Sequence, residues 1–377
     1  MKTLTWPQVI GRRLNCNHLV EPAPPGRLVE VVRDACGIQA QVPAAAELGI
    51  SARVAGITRA DVQRALSEER TLVRTNGPRG TKHILPAVEL PLWTAAMRAA
   101  SALGSSAGSD PSIEPAEAVR LIQLIREALD GVVLTREELA DKVARRGGSR
   151  LYEPLLSPWG ELLERAFQEG VVVHGPIEGN NTTFVRADQW VGSWEELDPT
   201  ESLTEVCRRY ISTYGPVTHQ DFARWVGIER EAARNLFEAI TGELEEVKIE
   251  RRRAWILATD AESSWEPVEG TLRLVPQYDC YILGSYPRAP IVPDAVKTLL
   301  STLNRANYEG AVGLSLLLID GVVSGIWQRR QRGKRVEITV SPINLLKDDQ
   351  RKQLDAEASR LAAFLSTEVT LSVGPPR

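Results

Sequence analysis

The chain has 377 residues, 43% of them apolar and 25% charged, and a net charge of −4. That length exceeds one average domain and predicts two to four units. The composition is that of an ordinary soluble protein. The absence of any run of about 18 apolar residues argues against a transmembrane helix, and Met1-Lys2-Thr3-Leu4-Thr5-Trp6-Pro7 has neither the apolar core nor the cleavage site of a signal peptide.

Cys16, Cys36, Cys207 and Cys280 are scattered and form no Cys-x-x-Cys pair, so neither a zinc site nor a redox motif is expected. Isolated thiols fit a reducing cytoplasm. The only histidines are His18, His83, His174 and His219, too few and too dispersed for a histidine-based metal site. No Gly-rich phosphate loop or Ser/His/Asp arrangement stands out. We expect no metal and no cofactor. The acidic balance argues mildly against a protein that coats nucleic acid, but local basic stripes decide phosphate contact. Two such stripes occur: Arg251-Arg252-Arg253, and Arg329-Arg330 with Arg332, Lys334 and Arg335. Arginine suits forked phosphate contacts, although a GC-rich genome is the plainer source of the arginine bias.

In chain order, the spacing predicts helices over about 5–15, 26–36, 43–53 and 58–68. Thr71 to Arg74 and Thr81 to Leu85 then form a hairpin around Asn76-Gly77-Pro78. A Ser/Gly/Ala-rich linker occupies about 100–113. Glu114 to Leu129 is an amphipathic helix with Val119, Leu121, Ile122, Leu124, Ile125 and Leu129 on its apolar face. A capping box, Thr135 to Glu138, opens the next helix, and Gly147-Gly148 stops it. A third helix starts at Ser157-Pro158, with Trp159 at a core position, and Gly170 ends it. Strands at Val171 to Val173 and Thr182 to Val185 flank Gly179-Asn180-Asn181.

Three helices and a hairpin make a winged-helix plan, the hairpin being the wing. The plan recurs from about 201, with helices Leu203 to Tyr214, from Thr218 through Trp225 and Val226, and Glu229 to Ile240. A hairpin follows, with Arg251 to Arg253 near its tip. From about 268 the pattern turns to strands: Leu272 to Val275, Leu314 to Ile319, Val322 to Trp327 and Val336 to Val340, with an Asp320-Gly321 turn. A helix over about 343–365 and a short strand close the chain. The expected fold is α+β and helix-rich: three tandem winged-helix units and a strand-rich, β-barrel-like C-terminal unit. The segments are 1–99, 114–195, 196–264 and 265–377, with 100–113 as linker.

Three separated motifs carry the functional reading. Gly37-Ile38-Gln39-Ala40-Gln41 sits on a tight connection between a helix and the Pro43 that opens the next one. By the residues alone, Gln39 and Gln41 read most plainly as loop glutamines that satisfy helix ends. The others are Arg79-Gly80-Thr81-Lys82-His83-Ile84-Leu85-Pro86 and Gln277-Tyr278-Asp279-Cys280-Tyr281-Ile282-Leu283-Gly284, the latter followed by Arg288. In this order and around these helix–hairpin patterns, they resemble the bacterial winged-helix DNA glycosylases of the AlkZ- and YcaQ-like family. The Gln-x-Gln spacing matches the AlkZ-like branch; the YcaQ-like branch carries Asp at the second position. Tyr278 replaces the family's common Phe. Asp320-Gly321-Val322-Val323-Ser324-Gly325-Ile326-Trp327 also matches a family strand motif. The resemblance spans about residues 5–340.

The resemblance implies a monofunctional glycosylase acting on duplex DNA, with Gln39 and Gln41 catalytic. The chemistry suits amides. A purine alkylated at N7 is already cationic and leaves without protonation. What remains is to place a water and to stabilise positive charge on the sugar, which carbonyl dipoles do. No lysine beside the motif suggests a Schiff-base step, so water is the nucleophile. Bulky N7-guanine adducts and crosslinks from genotoxic natural products are the substrates the branch implies, in DNA repair or self-resistance. Arg79, Thr81, His83, Arg251, Arg252, Arg253, Asp279, Arg288, Arg329 and Arg330 are candidates for contacting DNA or ordering the site. Asp279 reads more readily as a loop-ordering carboxylate than as a general base, and Trp225 and Trp327 as core. The protein is expected to act as a cytoplasmic monomer. The rival reading is a non-catalytic DNA-binding regulator or a toxin-sequestering resistance protein, because fold does not fix function.

Overall fold

The computed structural model describes residues 2–104, 115–157, 161–179, 181–296, 313–333 and 335–375. The chain divides into two compact units, each assembled from separate stretches of sequence. Met1–Val62, Cys207–Trp225 and Ala233–Arg377 form one, called terminal here; Gln63–Val206 and Val226–Ala232 form the other, called central. Both mix helices with sheets, so the class is α+β.

In the terminal unit, Thr5 and Gln8 form the capping box that starts the helix Trp6–Cys16. Val9, Ile10 and Leu14 give that helix its buried face. The next helix is shorter than the 26–36 expected. Pro25–Arg27 is a 3-10 turn, the helix runs Leu28–Asp34, and Cys36 (φ 57°) with Gly37 (φ 88°) turns the chain away. Pro43 then fits the first turn of Pro43–Ser51, where its missing N–H costs nothing. That helix is buried from Ala45 to Ser51.

The C-terminal region is strand-rich, as expected, and forms a five-stranded sheet. Its order is Leu272–Val275, Leu316–Ile319, Val322–Arg332, Arg335–Pro342 and Glu368–Val373. All neighbours are antiparallel except the last pair. The helix Asp348–Leu365 makes that parallel crossover. It buries Leu354, Ala358, Leu361 and Phe364, and its buried Glu357 accepts the Leu274 N–H at 2.8 Å. Asp320 (φ 49°) and Gly321 (φ 76°) make the expected two-residue turn. The strand Val322–Arg332 runs five residues past the expected Trp327, because its arginines pair in register along Arg335–Pro342.

A second, three-stranded sheet holds the hairpin Leu244–Ile249 and Arg252–Leu257, with Lys2–Leu4 added in parallel. That first strand was absent from the sequence expectation. At three residues, with only Leu4 turned into the core, it has no alternation to read. The helices Pro199–Tyr214, His219–Val226 and Arg230–Ala239 precede this hairpin. Trp225 is core, its ring stacked on Tyr210 at 4.7 Å.

In the central unit, the helices Pro115–Ala128, Arg136–Gly147 and Glu161–Gln168 precede the hairpin Val172–Glu178 and Asn181–Arg186. An unexpected short helix, Tyr152–Leu156, intervenes. Ser157-Pro158 as a helix start and Trp159 as core lie wholly or partly outside the described residues, as do most of the linker and the Gly179-Asn180-Asn181 turn. Ala100 to Ala102, assigned to the linker, are instead the last residues of the helix Leu90–Ala102.

Val119 is 69% exposed and does not belong to the apolar face. The buried stripe runs through Ala118, Leu121, Ile125 and Ala128, a helical repeat that leaves Val119 about 140° from its centre. The hairpin Leu72–Asn76 and Lys82–Pro86 joins the later one through Arg74 and His174. The two hairpins and Leu134–Thr135 thus form one sheet, edge strand on edge strand.

Candidate active site

Gln39 and Gln41 lie in the terminal unit between two sharply set helices. Gln39 ends the short strand Ile38–Gln39 and is buried; Gln41 is exposed two residues before Pro43. The loop is held from behind. Thr213 donates from Oγ1 to the Asp34 carbonyl at 2.7 Å, and the Tyr214 hydroxyl lies 3.0 Å from the Ala35 carbonyl and 3.1 Å from that of Cys280. Gly284 explains one residue of the third motif: a Cβ there would sit 2.2 Å from the Tyr214 ring.

Asp279 N-caps the short helix Cys280–Gly284 by accepting the Tyr281 N–H at 3.0 Å. Its main partner was not visible in the sequence. Arg53, just past the helix Pro43–Ser51, donates to both carboxylate oxygens at 2.8 and 2.7 Å and to the Gly49 carbonyl at 2.9 Å. The two side chains are 0% and 1% exposed. Burial opposes the Arg53 charge, but the Asp279 carboxylate and its hydrogen bonds outweigh it and raise the guanidinium pKa. Asp279 therefore clamps the helix that follows Gln41. Glu47 on the same helix, also buried, accepts from Arg59 Nε at 2.7 Å. The only sequence signal for Arg53 was a charge in an otherwise uncharged stretch, Leu48 to Val54.

Arg288 donates from Nε to the Ile282 carbonyl at 3.3 Å and stacks over Tyr286, securing the segment after Asp279. Arg329 and Arg330 are exposed on the long strand, where they line a cavity with Val42, Ala44 and Trp327. The structure thus brings these two arginines to the same cavity as the residues that follow Gln41. Trp327 is buried, its indole N–H donating to the Val275 carbonyl at 2.8 Å. In the basic run on the Leu244–Leu257 hairpin, Arg252 pairs with Asp221 beneath Thr218, and Arg253 pairs with Glu246 at 2.6 Å. Arg251 stays exposed at the turn with no ion pair among the described residues.

Arg79, Thr81 and His83 belong to the central unit. Arg79 takes a left-handed conformation (φ 60°) in the turn Pro78–Gly80, beside Gly227. Thr81 donates from Oγ1 to the Pro78 carbonyl at 3.0 Å. The His83 ring fills the space a Cβ on Gly77 would need. Its Nδ1 lies 2.8 Å from the Thr81 carbonyl, and burial pushes its pKa down to about 3. It is a neutral imidazole at physiological pH. His174, between the Phe167 and Phe184 rings at 4.8 and 5.4 Å, is likewise held neutral by burial and by Arg74.

These two histidines predict an acid-labile fold. Unfolded, both titrate near pH 6.5. Below that, the unfolded chain binds protons that the folded chain refuses, so stability present above about pH 6.5 falls as pH drops toward the folded pKa values. Each group contributes up to about 1.4 kcal/mol per pH unit. The melting temperature is expected to fall between pH 7 and pH 5, and to fall less steeply in His174→Phe. Equal slopes in the two proteins would contradict this origin.

Among the described residues, no group of three His, Cys, Asp or Glu is placed to hold a metal ion, and no helix is long and apolar enough to cross a membrane.

The chain belongs to the AlkZ-like DNA glycosylases: the model of that family, described as DNA glycosylase AlkZ-like, matches residues 32–364. It is accordingly a DNA glycosylase, a hydrolase of DNA N-glycosidic bonds, and the non-catalytic reading falls away. A Streptomyces sahachiroi protein named interstrand DNA cross-link repair glycosylase is 32% identical over 369 residues, 95% of this chain and 96% of that one. The solved structure of Streptomyces sahachiroi DNA glycosylase AlkZ matches with a TM-score of 0.81 and 29% identity, covering 99% of this chain and 100% of that chain.

Proposed function

We propose that the protein hydrolyses the N-glycosidic bond of cationic N7-alkylpurines in duplex DNA, bulky genotoxin adducts and crosslinks among them, and leaves an abasic site. In this reading Gln39 and Gln41 position the water and stabilise the developing sugar cation through side-chain carbonyl dipoles. One observation carries the reading: from Gly37 to Pro43 the loop holds no titratable side chain, and the buried carboxylates near it are engaged, Asp279 by Arg53 and Glu47 by Arg59. A site offering amides and no free acid suits a base that leaves as a cation and not one that must be protonated.

The similarity to a protein named for interstrand cross-link repair supports crosslinks as substrates. Flipping is the usual route to a base, but a crosslinked base stays tied to the other strand, so such a lesion must be met within the duplex. We read the three helix–hairpin stretches ending near 86, 186 and 257 as winged-helix units on that duplex, with Arg79, Thr81, His83, Arg251, Arg288, Arg329 and Arg330 contacting DNA or ordering the site. We propose the cytoplasm as its compartment.

Charge dependence tests the reading. Duplexes carrying one N7-methylguanine, one hypoxanthine or one uracil are incubated with excess enzyme. Base release is expected from the N7-methylguanine duplex alone; comparable release of the neutral bases would overturn it.

A further inference from the structure

The helix Leu28–Asp34 ends just before the Gln39–Gln41 loop, and a helix end leaves its last carbonyls without partners inside the helix. The chain satisfies the earlier ones itself. The Ala35 N–H donates to the Val31 carbonyl at 3.2 Å, the Gly37 N–H to that of Val32 at 2.9 Å and the Cys36 N–H to that of Arg33 at 2.9 Å. The carbonyls of Asp34 and Ala35 come next, and a distant helix takes both. Thr213 Oγ1 donates to Asp34 at 2.7 Å, and the Tyr214 hydroxyl lies 3.0 Å from Ala35. Consecutive residues at the end of the helix Pro199–Tyr214 thus grip consecutive carbonyls at the end of another. All four residues belong to the terminal unit.

The grip is itself anchored. Arg13, with no exposed surface, donates from Nε to the Tyr214 carbonyl at 2.7 Å and from Nη2 to those of Pro216 and Tyr286 at 3.1 and 2.9 Å. A guanidinium there satisfies a terminal carbonyl and meets the negative end of the helix dipole. The one Tyr214 proton is shared with the Cys280 carbonyl at 3.1 Å, so the same hydroxyl ties the loop to the helix that Asp279 caps.

The loop needs such a hold. Only Cys36, Gly37 and Ile38 separate Ala35 from Gln39, and Cys36 takes a left-handed φ of 57°. A residue with a Cβ is strained there and stays only where its surroundings over-determine it. Thr213 supplies part of that: with its own proton on Asp34, its Oγ1 accepts from the Cys36 thiol, 3.4 Å away.

We propose that Thr213 and Tyr214 are positioning residues for catalysis, which set the direction in which Gln39 and Gln41 present their amides. This rests on the reading of the two glutamines as catalytic. Thr213 is 7% exposed and Tyr214 0%, so neither reaches DNA, and their effect on rate passes through the loop.

Tyr214→Phe and Thr213→Val each remove one hydroxyl and keep the shape. Base release from a duplex carrying one N7-methylguanine is followed in single turnover at saturating enzyme, with the duplex dissociation constant and the melting temperature. Each variant is expected to slow release about tenfold, because one tie remains and a shift of about 1 Å costs up to about 100-fold. Affinity is expected to stay within about twofold, and the melting temperature within about 4 °C. Thr213→Ser restores the donor and is expected to recover most of the rate. Saturated rates within about twofold of wild type in the folded variants, or Thr213→Ser as slow as Thr213→Val, would overturn the clamp. So would weaker binding with an unchanged saturated rate. If Tyr214→Phe does not fold, the two Thr213 variants decide. Gln39→Ala/Gln41→Ala, run alongside, tells the failures apart. If it is inactive while the clamp variants match wild type, the clamp alone fails. If it matches wild type, or wild type releases no base, the parent reading fails and takes the clamp with it.

Discussion

Asp279→Ala is expected to destabilise the protein by about 3–5 kcal/mol, the cost of leaving a buried guanidinium without its counter-charge. Arg53 has no exposed surface and donates to both Asp279 oxygens, so solvent cannot take the place of the lost carboxylate. The loss falls on one connection: the helix Pro43–Ser51 would lose its tie to the segment Pro276 to Gly284. Arg53→Met with Asp279→Leu, which removes both charges and keeps the volume, is expected to recover most of the loss. Urea unfolding of the two proteins measures this. A cost below about 1 kcal/mol for Asp279→Ala, the range of an exposed pair, would mean that the pair is not buried as described.

The second large effect is on rate rather than stability. Gln41→Ala is expected to slow base release by about 100- to 1000-fold, the range for removing one preorganised dipole from a developing charge. Gln41 is exposed, so its removal costs the fold little. Gln39→Ala is expected to lower the rate similarly, with a modest added loss of stability because the side chain is buried. Single-turnover release at saturating enzyme, together with the duplex dissociation constant, separates the possibilities. Rates within threefold of wild type would remove the glutamines from the chemistry. Lost binding with an unchanged saturated rate would make them DNA contacts.

The setting of the Gln39–Gln41 loop was legible because local chemistry marks it, whereas its functional reading came from the family resemblance. Gly37 permits the positive φ that ends one connection, Pro43 opens the next helix, and the two glutamines lie between. The Asp320-Gly321 turn and the core roles of Trp225 and Trp327 were readable for the same reason. What stayed hidden depends on long-range pairing. Arg53 and Asp279 are 226 positions apart, and nothing in either neighbourhood names the other. The arginine run 251–253 reads as three cations in line, yet Asp221, 31 positions away, claims Arg252, and Glu246 on the facing strand claims Arg253. Val119 looked apolar-faced because valine fits a hydrophobic count; the phase of the buried stripe excludes it. The joining of two hairpins through Arg74 and His174 is a property of strand edges, which sequence alternation does not encode.

The central claim is that a pair of neutral amides suffices to release a cationic purine. The most direct measurement is alkali-revealed strand cleavage of a duplex carrying a single N7-methylguanine, with wild-type protein and with Gln39→Ala/Gln41→Ala. The account predicts cleavage at the lesion by wild type and none above background by the double variant. Equal cleavage by both proteins would contradict it.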